Sequence, residues 1–442
     1  MLEKLQYLPQ QALLIHIKLL HSVYDSAVSA IEFQGLAKSS DIIILDLIIC
    51  RLNRQSIDAK YLIGKGKLTE ISDIVVKNNV SLVIFNYELS ASQQKHLEKF
   101  LNCKVLDRTE LILHIFAKRA RTFEGKLQVE LARLQHLSTR LVRVWTHLER
   151  QKGGVGLRSG PGEQQIEIDR RIIRNKIKNI TKSLEKIKKQ RKLQRTARKK
   201  AMFSTISLVG YTNSGKSTLF NLLTNSKVST LNMPFVTLDP TVRTMFIPKV
   251  GSVILADTVG FIKDLPHHLI DAFKATLESI NASDLLLHVI DVSDNDSFER
   301  KQDVLNVLEK IGAVDIPILE IYNKIDNNQT IIDLPSINCC LTDTQGFGYS
   351  GVGVKISALY NLGIEKLIMA ISNKLCVELV HCQLKLMPNN ANIRIELLKL
   401  GAVENETIDQ TTGEFKLDVT IQKQCWRVLC NKFIDLPKMI VT

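Results

Sequence analysis

Short aliphatic runs and helical stretches alternate through the first part of the chain. The runs have the length and the β-branched content of strands, and they lie at Ala12–Ile17, Ile42–Ile49, Ser81–Asn86 and Lys104–Leu106. Between them, apolar residues recur at helical intervals over Leu68–Asn78 and Ser92–Leu101. Because strands that alternate with helices form mainly parallel sheets, residues 1–118 are predicted to fold as an N-terminal α/β domain.

The apolar spacing becomes heptad-like over residues 119–201. Apolar side chains recur every three or four positions in two stretches, at Leu127, Leu131, Leu134, Leu137, Leu141, Val144 and Leu148, and again at Ile173, Ile177, Ile180, Leu184 and Ile187. The glycine-rich break Gly153–Gly162 between these stretches cannot continue a helix. The pattern predicts two amphipathic helices that form an antiparallel helical hairpin.

The rest of the chain returns to alternating strands and helices. Strands rich in aliphatic residues are predicted at Thr205–Val209, Ser252–Asp257, Leu285–Asp291 and Ile316–Asn323. Their nearly continuous hydrophobicity is typical of a parallel sheet covered on both faces, so residues 202–375 are predicted to form a second α/β domain. Residues 376–442 contain Val/Ile-rich pieces at Asn392–Leu398 and Phe415–Ile421 and are predicted to form a small C-terminal α/β domain.

Charge is distributed unevenly over the 442 residues. The chain has 59 Lys and Arg residues and 45 Asp and Glu residues, which gives a formal net charge of +14. Arg170–Lys200 holds 15 of the cations and only the acid Glu185, so nearly all of the excess lies in the second hairpin helix. Repulsion among these cations would destabilise an isolated helix, which favours a polyanionic partner such as RNA. A solvated helix face is the alternative interpretation.

Other features of the sequence concern its compartment. No run approaches the ~20 uninterrupted apolar residues of a membrane span, and the start of the chain, Met-Leu-Glu-Lys, lacks a secretory pattern. The 8 cysteines are scattered, without a CxxC pair or a histidine at zinc-finger spacing. We therefore expect a cytoplasmic protein without a transmembrane segment and without structural zinc.

A glycine-rich loop follows the strand Thr205–Val209 directly and leads into a predicted helix, Leu219–Leu223. The loop has the GxxxxGK[ST] pattern and consists of Gly210, Tyr211, Thr212, Asn213, Ser214, Gly215, Lys216, Ser217 and Thr218. In such a loop the backbone N–H groups wrap nucleotide phosphates, and the N-terminus of the helix adds positive potential. Lys216 is predicted to reach the β- and γ-phosphates, and the Ser217 hydroxyl is predicted to ligate Mg²⁺.

Two further segments would complete a site for a nucleoside triphosphate. The next strong strand ends in Asp257, Thr258, Val259 and Gly260. Here the Asp257 carboxylate suits the outer coordination sphere of the metal, and the Gly260 N–H suits the γ-phosphate. A preceding segment contains Phe235, Val236, Thr237, Leu238 and Asp239. Thr237, or alternatively Thr241, is predicted to close over Mg²⁺ and the γ-phosphate, so Lys216, Thr237 and Gly260 are the predicted catalytic residues.

The last predicted strand of this domain leads into a base-reading segment. It consists of Asn323, Lys324, Ile325 and Asp326. The Asp326 carboxylate can accept hydrogen bonds from guanine N1–H and from the exocyclic amine, and the Lys324 side chain can cover the ring face. Adenine has no such pair of donors, so GTP is the predicted substrate. Ser357, Ala358 and Leu359 offer a backbone amide near the guanine oxygen. The order and spacing of these motifs resemble the translation-factor-related GTPases.

Segments outside the nucleotide site extend this resemblance over essentially the whole chain. The residues that carry it are Ile63–Leu68, Val83–Ser90, Asp107–Thr109, Glu124–Leu131, Gly153–Arg171, Gly210–Thr218 and Thr237–Thr241. On these residues the chain resembles the HflX family of ribosome-associated GTPases. The resemblance implies a cytoplasmic bacterial protein that binds the large ribosomal subunit and its RNA, hydrolyses GTP with Mg²⁺, and separates stalled or idle ribosomes under stress. For some members it also implies ATP binding by the N-terminal part.

The sequence also departs from the family pattern. In the glycine loop Ser159 is inserted, and Gln164 and Ile168 replace threonines. Two alternatives therefore stay open: a nucleotide-regulated RNA-binding module without subunit-splitting activity, and a family member that binds nucleotide without acting on ribosomes. The turn Gly64–Lys67 is either a tight turn with exposed lysines or a second phosphate cradle. A monomer is predicted.

Overall fold

The computed structural model describes residues 11–19, 26–53, 57–144, 161–200, 204–226, 233–235, 237, 241–248, 250–262, 280–294, 296–327, 353–375, 379–408, 413–433 and 435–441. The chain forms two compact units. The first consists of Met1–Lys189, Leu231–Asp239 and Asp264–Lys274, and the second of Gln190–Thr230, Pro240–Lys263 and Ala275–Thr442. No helix within the described ranges is long and apolar enough to cross a membrane.

The α/β part of the first unit has the predicted alternation of strands and helices. It consists of β1 (Gln11–Leu19), α1 (Ser26–Ser39), β2 (Ile43–Leu52), α2 (Lys65–Lys77), β3 (Leu82–Phe85), α3 (Ala91–Leu101), β4 (Lys104–Leu106) and α4 (Arg108–Arg119). The strands pair in the order β2-β1-β3-β4, and every pairing is parallel. Helices α1 and α4 were not predicted from the sequence. Side chains on most sides of α4 are buried, so its sequence has no single apolar stripe that would indicate a helix.

The helical hairpin follows as α5 (Phe123–Val144) and α6 (Pro161–Lys200). Apolar residues from both predicted stretches form one hydrophobic cluster, with Leu131, Leu134 and Ile180 buried and Leu127, Ile173, Ile177 and Leu184 packed against them. This cluster confirms that the two amphipathic helices pack on one another. Most of the glycine-rich break, together with Leu148 of the first stretch, lies outside the described residues.

A buried ionic joint connects the hairpin to the α/β part of this unit. Asp107 is the N-cap of α4, where its Oδ1 accepts a hydrogen bond from the Glu110 N–H at 2.8 Å. The Arg140 guanidinium on α5 donates to Asp107 Oδ2 at 2.6 Å and lies 2.9 Å from Glu110 Oε1. Because Asp107 is completely buried, water cannot stabilise its carboxylate charge. The Arg140 guanidinium and the Glu110 N–H stabilise it instead.

The second unit begins with a six-stranded sheet. Its elements are β5 (Thr205–Val209), α7 (Lys216–Thr224), β6 (Thr241–Ile247), β7 (Gly251–Asp257), β8 (Leu285–Asp291), α8 (Ser297–Lys310), β9 (Ile318–Asn323), β10 (Gly353–Lys355) and α9 (Ile364–Leu375). The strand order is β10-β9-β8-β5-β7-β6, and of the pairings described within this sheet only β6–β7 is antiparallel. The predicted, mainly parallel sheet is confirmed. The edge strands β6 and β10 were not predicted, and β9 begins at Ile318 rather than at Ile316.

The C-terminal residues of the second unit add an antiparallel sheet. Its elements are β11 (Leu379–Leu386), α10 (Ala391–Lys399), β12 (Val403–Ile408), β13 (Phe415–Gln422), α11 (Lys423–Lys432) and β14 (Ile440–Val441), with the strand order β12-β13-β11-β14. The piece Asn392–Leu398 lies in α10, whereas Phe415–Ile421 lies in β13. Leu384, Leu397 and Leu417 are among the buried residues of its core, so this part is the expected small α/β domain.

The ionic joint generates a prediction about stability. Replacing Asp107 by Ala removes the cap and one of the two carboxylate partners of Arg140, so the free energy of unfolding should fall by about 2–4 kcal/mol. Asp107→Ser restores the cap acceptor alone and should recover about 1 kcal/mol of that loss. Urea unfolding followed by circular dichroism measures both values.

The control for this prediction is Glu70→Ala. Glu70 pairs with Lys67 at 2.7 Å, but its side chain is 54% exposed, so its removal should cost at most about 0.5 kcal/mol. If Asp107→Ala is no more costly than Glu70→Ala, the buried joint does not stabilise the unit.

Candidate nucleotide-binding site

The predicted site residues of the second unit gather at one edge of its parallel sheet. Strand β5 ends at Val209, directly before the phosphate loop, and β7 and β9 end at Asp257 and Asn323, the first residues of their predicted motifs. Carboxyl ends of parallel strands meet at one sheet edge, and ligands of α/β folds bind there. The strand order β9-β8-β5-β7 therefore brings residues that are far apart in sequence into one row.

The phosphate loop requires glycine at its first and last turns. Gly210 has φ 152° and Gly215 has φ 94°, values that side chains rarely adopt. A Cβ at Gly210 would lie 2.4 Å from the Val289 carbonyl oxygen, and one at Gly215 would lie 2.2 Å from Asn323 Nδ2. The loop therefore lies too close to β8 and β9 for any larger residue. The helix α7 begins at Lys216, so its N-terminus faces this loop.

Lys216 is buried beneath the loop that it belongs to. Its Nζ donates hydrogen bonds to the carbonyl oxygens of Gly210 at 3.1 Å and Tyr211 at 2.6 Å. Burial, aided by the charge of Lys324 and opposed by the Asp257 carboxylate, lowers the pKa of Lys216 to about 8. A bound polyphosphate would add negative charge beside this ammonium group and so favour its protonated form.

A hydroxyl and a carboxylate meet at the start of α7. Ser217 Oγ donates to Asp257 Oδ2 at 2.8 Å. Thr258 Oγ1 donates to the Leu208 carbonyl oxygen at 2.6 Å, which joins the end of β7 to β5. The structure thus brings together the two oxygen donors that the sequence analysis assigned to the metal and to its outer coordination sphere.

The segment after β7 lies directly against the phosphate loop. The Thr212 N–H donates to the Phe261 carbonyl oxygen at 2.7 Å, and the Phe261 N–H donates to the Gly210 carbonyl oxygen at 3.0 Å. Gly260 has no room for a side chain, since its Cβ would lie 2.9 Å from Thr212 Cγ2 and 3.1 Å from Lys216 Nζ. Gly260 is therefore close to the ammonium group with which it is predicted to share a phosphate.

Asn323 connects three loops of the site. Its Nδ2 donates to the Ser214 carbonyl oxygen at 2.9 Å, and its Oδ1 accepts from the Ala358 N–H at 3.0 Å. Ser357 pairs with Leu362 through two backbone hydrogen bonds that close its turn. The side chain of Leu359 at the tip of that turn is 71% exposed. The predicted base-reading segments therefore lie beside the phosphate loop.

Lys324 and Asp326 differ in their surroundings. Lys324 Nζ lies 2.6 Å from Asp291 Oδ2 at the end of β8. Asp326 lies on the short 3₁₀ turn Ile325–Asn327 and is exposed, as a base-reading carboxylate has to be. Asp291 was not among the residues predicted from the sequence. The signal that could have indicated it is a carboxylate at the carboxyl end of a parallel strand next to the base-reading loop.

Phe235, Pro234 and Thr237 lie in the first unit. Phe235 is 2% exposed, and its ring packs edge-to-face on Phe116, with ring centroids 4.7 Å apart. The Pro234 carbonyl oxygen accepts from Ser39 Oγ at 3.2 Å. Thr237 is half-buried, and its nucleotide role stays a prediction, as does that of Thr241, which begins β6 opposite Asp257.

The other predicted residues of this segment, Val236, Leu238 and Asp239, lie outside the described residues. Asn213 and Thr218, by contrast, lie in the phosphate loop and the first turn of α7, and Val259 is buried between Asp257 and Gly260.

Three family models match consecutive parts of the chain. Residues 28–117 match the model described as GTP-binding GTPase N-terminal. Residues 119–198 match GTP-binding GTPase Middle Region, and residues 205–324 match 50S ribosome-binding GTPase. The matched ranges follow the N-terminal α/β part, the hairpin and the nucleotide-binding sheet.

Curated relatives match along most of their length. The chain is 44% identical over 427 residues to the GTPase HflX of Escherichia coli strain K12, which covers 96% of each chain. It is also 44% identical over 370 residues to the GTPase HflX of Caldanaerobacter subterraneus, with 84% of this chain and 82% of the relative covered. Among solved structures, a GTP-binding protein of Sulfolobus solfataricus with GDP is 26% identical at a TM-score of 0.44, with 83% of this chain and 98% of that chain covered.

The exposed Asp326 generates a prediction about base choice. Asp326→Asn should weaken GTP binding and favour xanthosine triphosphate, because an amide cannot accept from both guanine donors. The loss of a charged acceptor should cost roughly 1.5–3 kcal/mol of GTP binding energy. Competition binding with GTP and xanthosine triphosphate measures the change.

Lys216→Ala is the matched control, because it should abolish the binding of both nucleotides regardless of the base. An unchanged GTP affinity in Asp326→Asn would show that guanine is read elsewhere.

Proposed function

Because this chain belongs to the HflX family of GTPases, we propose that it acts on the large ribosomal subunit in the cytoplasm. The chain carries the GTPase domain of that family and is a GTP hydrolase. We infer that GTP-dependent binding to the subunit separates stalled or idle ribosomes. The match of the GTPase domain to a 50S ribosome-binding family supports the choice of partner.

The exposed basic face of α6 is the observation that carries this proposal. Its exposed cations are Arg171, Arg174, Lys176, Lys178, Lys182, Lys186, Lys188 and Lys189. The apolar residues Ile173, Ile177 and Ile180 of the same helix pack in the hairpin cluster. Packing therefore uses one stripe of the helix and leaves the charges accessible. Such a surface binds the phosphate backbone of RNA by releasing counterions.

The donors at the start of α7 fit Mg²⁺. The Ser217 hydroxyl and the Asp257 carboxylate are hard oxygen ligands 2.8 Å apart, which is the donor type that this cation selects. We propose that Ser217 would hold the ion and that Asp257 would lie in its outer coordination sphere, with Thr237 as a further predicted ligand. When bound, Mg²⁺ neutralises the negative charge of the β- and γ-phosphates.

The residues around the phosphates differ in what they supply to hydrolysis. Lys216 can donate to the phosphates, and the Gly260 N–H can donate to the γ-phosphate oxygens, which gain charge in the transition state. In Ras-type GTPases a glutamine after this glycine orients the attacking water. Here Phe261 follows Gly260, and its ring has no hydrogen-bonding group. Its backbone is bonded to the phosphate loop. We therefore propose that the chain binds GTP well and hydrolyses it slowly by itself.

Sedimentation with purified large subunits tests the proposed function. Pelleting in the presence of a non-hydrolysable GTP analogue, and much less with GDP, is the expected result. Equal pelleting with the GTP analogue and with GDP would support the alternative of an RNA-binding module without splitting activity. A protein that does not pellet in either state would be a family member that has lost its action on ribosomes.

The basic face generates a prediction about salt dependence. Replacing five neighbouring cations by Gln should weaken subunit binding and flatten its salt dependence; they are Lys186, Lys188, Lys189, Arg191 and Lys192. Each lost phosphate contact should reduce the slope of log affinity against log salt by roughly 0.7–0.9. GTP affinity should not change, since the nucleotide site lies at the sheet edge. Binding titrations at several salt concentrations measure the slope.

A second variant with the same change in charge is the control. It carries Lys→Gln at five exposed positions outside α6, namely Lys77, Lys95, Lys99, Lys310 and Lys366. Its salt slope should stay closer to that of the native chain. Equal slopes for the two variants would leave α6 as an ordinary solvated surface.

Phe261 generates a prediction about turnover. Single-turnover hydrolysis should be slow for the chain alone and should accelerate on addition of large subunits, because a partner can reshape the segment around Phe261 and position water. Phe261→Leu should change the rate constant with little effect on GTP affinity, whereas Lys216→Ala should abolish binding and turnover together. Fast hydrolysis without subunits, unchanged when they are added, would contradict this mechanism.

A further inference from the structure

Asp291 ends β8 with both carboxylate oxygens engaged. Oδ1 accepts hydrogen bonds from the Ser293 N–H at 3.0 Å and from Ser293 Oγ at 2.6 Å. Oδ2 accepts from Lys324 Nζ at 2.6 Å. Ser293 thus fixes the rotation of the carboxylate, and the second oxygen points at the ammonium group. An oriented carboxylate with a single cation on its other oxygen is a directional contact, in contrast to a flexible surface pair.

The backbone of Lys324 is fixed as firmly as its ammonium group. Lys324 has φ 64°, a left-handed conformation that a lysine adopts only where its surroundings impose it. Asp291 and Asn323 are register partners in the parallel pair β8–β9, and the Val292 N–H donates to the Asn323 carbonyl oxygen at 3.1 Å. The backbone and the ammonium group at the two ends of the Lys324 side chain are therefore both held.

A carboxylate beside Lys324 also offsets repulsion between two nearby cations. Lys324 is close enough to Lys216 to lower the pKa of that group, so two cations face the same part of the site. The Asp257 carboxylate opposes the shift at Lys216, and Asp291 pairs with Lys324. The side chains of Asp291 and Lys324 are only 15% and 25% exposed, so water screens their attraction incompletely.

We propose that Asp291 is a positioning residue for guanine-nucleotide binding, which acts by holding the Lys324 side chain extended along the base-binding edge. This role of Asp291 rests on the proposed guanine site of Lys324 and Asp326. The methylene chain of Lys324 then lies flat against one face of the base, while Asp326 reads the base edge. Asp291 itself does not contact the nucleotide, and its contribution does not depend on which groups the base carries at its edge.

Dissociation constants of GDP for the full-length chain test this proposal in a double-mutant cycle. Asp291→Asn should raise the dissociation constant about tenfold, because the charged pair is lost. Lys324→Met keeps the methylene chain but removes the ammonium group. In that background Asp291→Asn should change the constant by less than about twofold, because Asp291 has lost the group through which it acts.

Further variants locate the effect. Ser293→Ala removes one of the two donors to Oδ1 and should weaken GDP binding by about two- to threefold. Asp315→Asn, at an exposed position before β9, is the matched control and should leave GDP binding unchanged. In Asp291→Asn the ratio of GDP to IDP affinity should equal that of the native chain, because Asp326 still reads the exocyclic amine.

Two results would overturn the role of Asp291. One is GDP binding by Asp291→Asn within twofold of the native chain. The other is an equal loss with and without Lys324→Met, which would mean that Asp291 contacts the nucleotide or only supports the fold. A wrong assignment of the guanine site would be recognised separately. In that case Asp326→Asn would still prefer GTP over xanthosine triphosphate.

Discussion

A single side-chain amide sets the geometry of the nucleotide site. Asn323 donates to the Ser214 carbonyl oxygen and accepts from the Ala358 N–H, so the phosphate loop and the Ser357–Leu359 turn are both positioned from the end of β9. The same amide nitrogen fills the space where a side chain at position 215 would lie. Gly215 is therefore required by a contact with a residue more than a hundred positions away, as well as by its own φ.

The parts of this arrangement that depend on local patterns could be predicted from the sequence. A short aliphatic strand, a GxxxxGK[ST] loop and a following helix are adjacent in the chain, so β5, the loop and α7 were predicted together. The strands β7 and β9 were predicted together with the motifs at their carboxyl ends, and carboxyl ends of parallel strands meet at one sheet edge. The heptad-like spacing identified the hairpin, since burial on one face imposes it.

Contacts between distant segments could not be predicted in the same way. The ionic joint of Asp107 and Arg140 depends on how α4 and α5 meet, and neither residue lies in a pattern that indicates the other. Phe235 reads as part of a nucleotide-binding segment in the sequence, yet its ring is buried against Phe116. The pairing of Asp291 with Lys324 depends on the strand order β9-β8, which the sequence does not specify. In each case the sequence shows the chemical type of the residue but does not indicate its contact partner.

The cations of this chain act in two physical regimes, and the two proposed anionic partners correspond to them. Lys216 and Lys324 are few, largely withdrawn from water and held by specific acceptors, so their positions are fixed before a ligand arrives. A nucleotide polyphosphate of defined shape gains from such preorganisation, because little ordering is needed on binding. The exposed cations of α6 listed above are many, so each contributes little, depends on salt, and binds phosphates in many arrangements. A long RNA backbone suits that surface because it offers phosphates in numbers and needs no single geometry. The burial of a cation, more than its identity as Lys or Arg, thus distinguishes the selective nucleotide site from the less selective RNA-binding surface of α6.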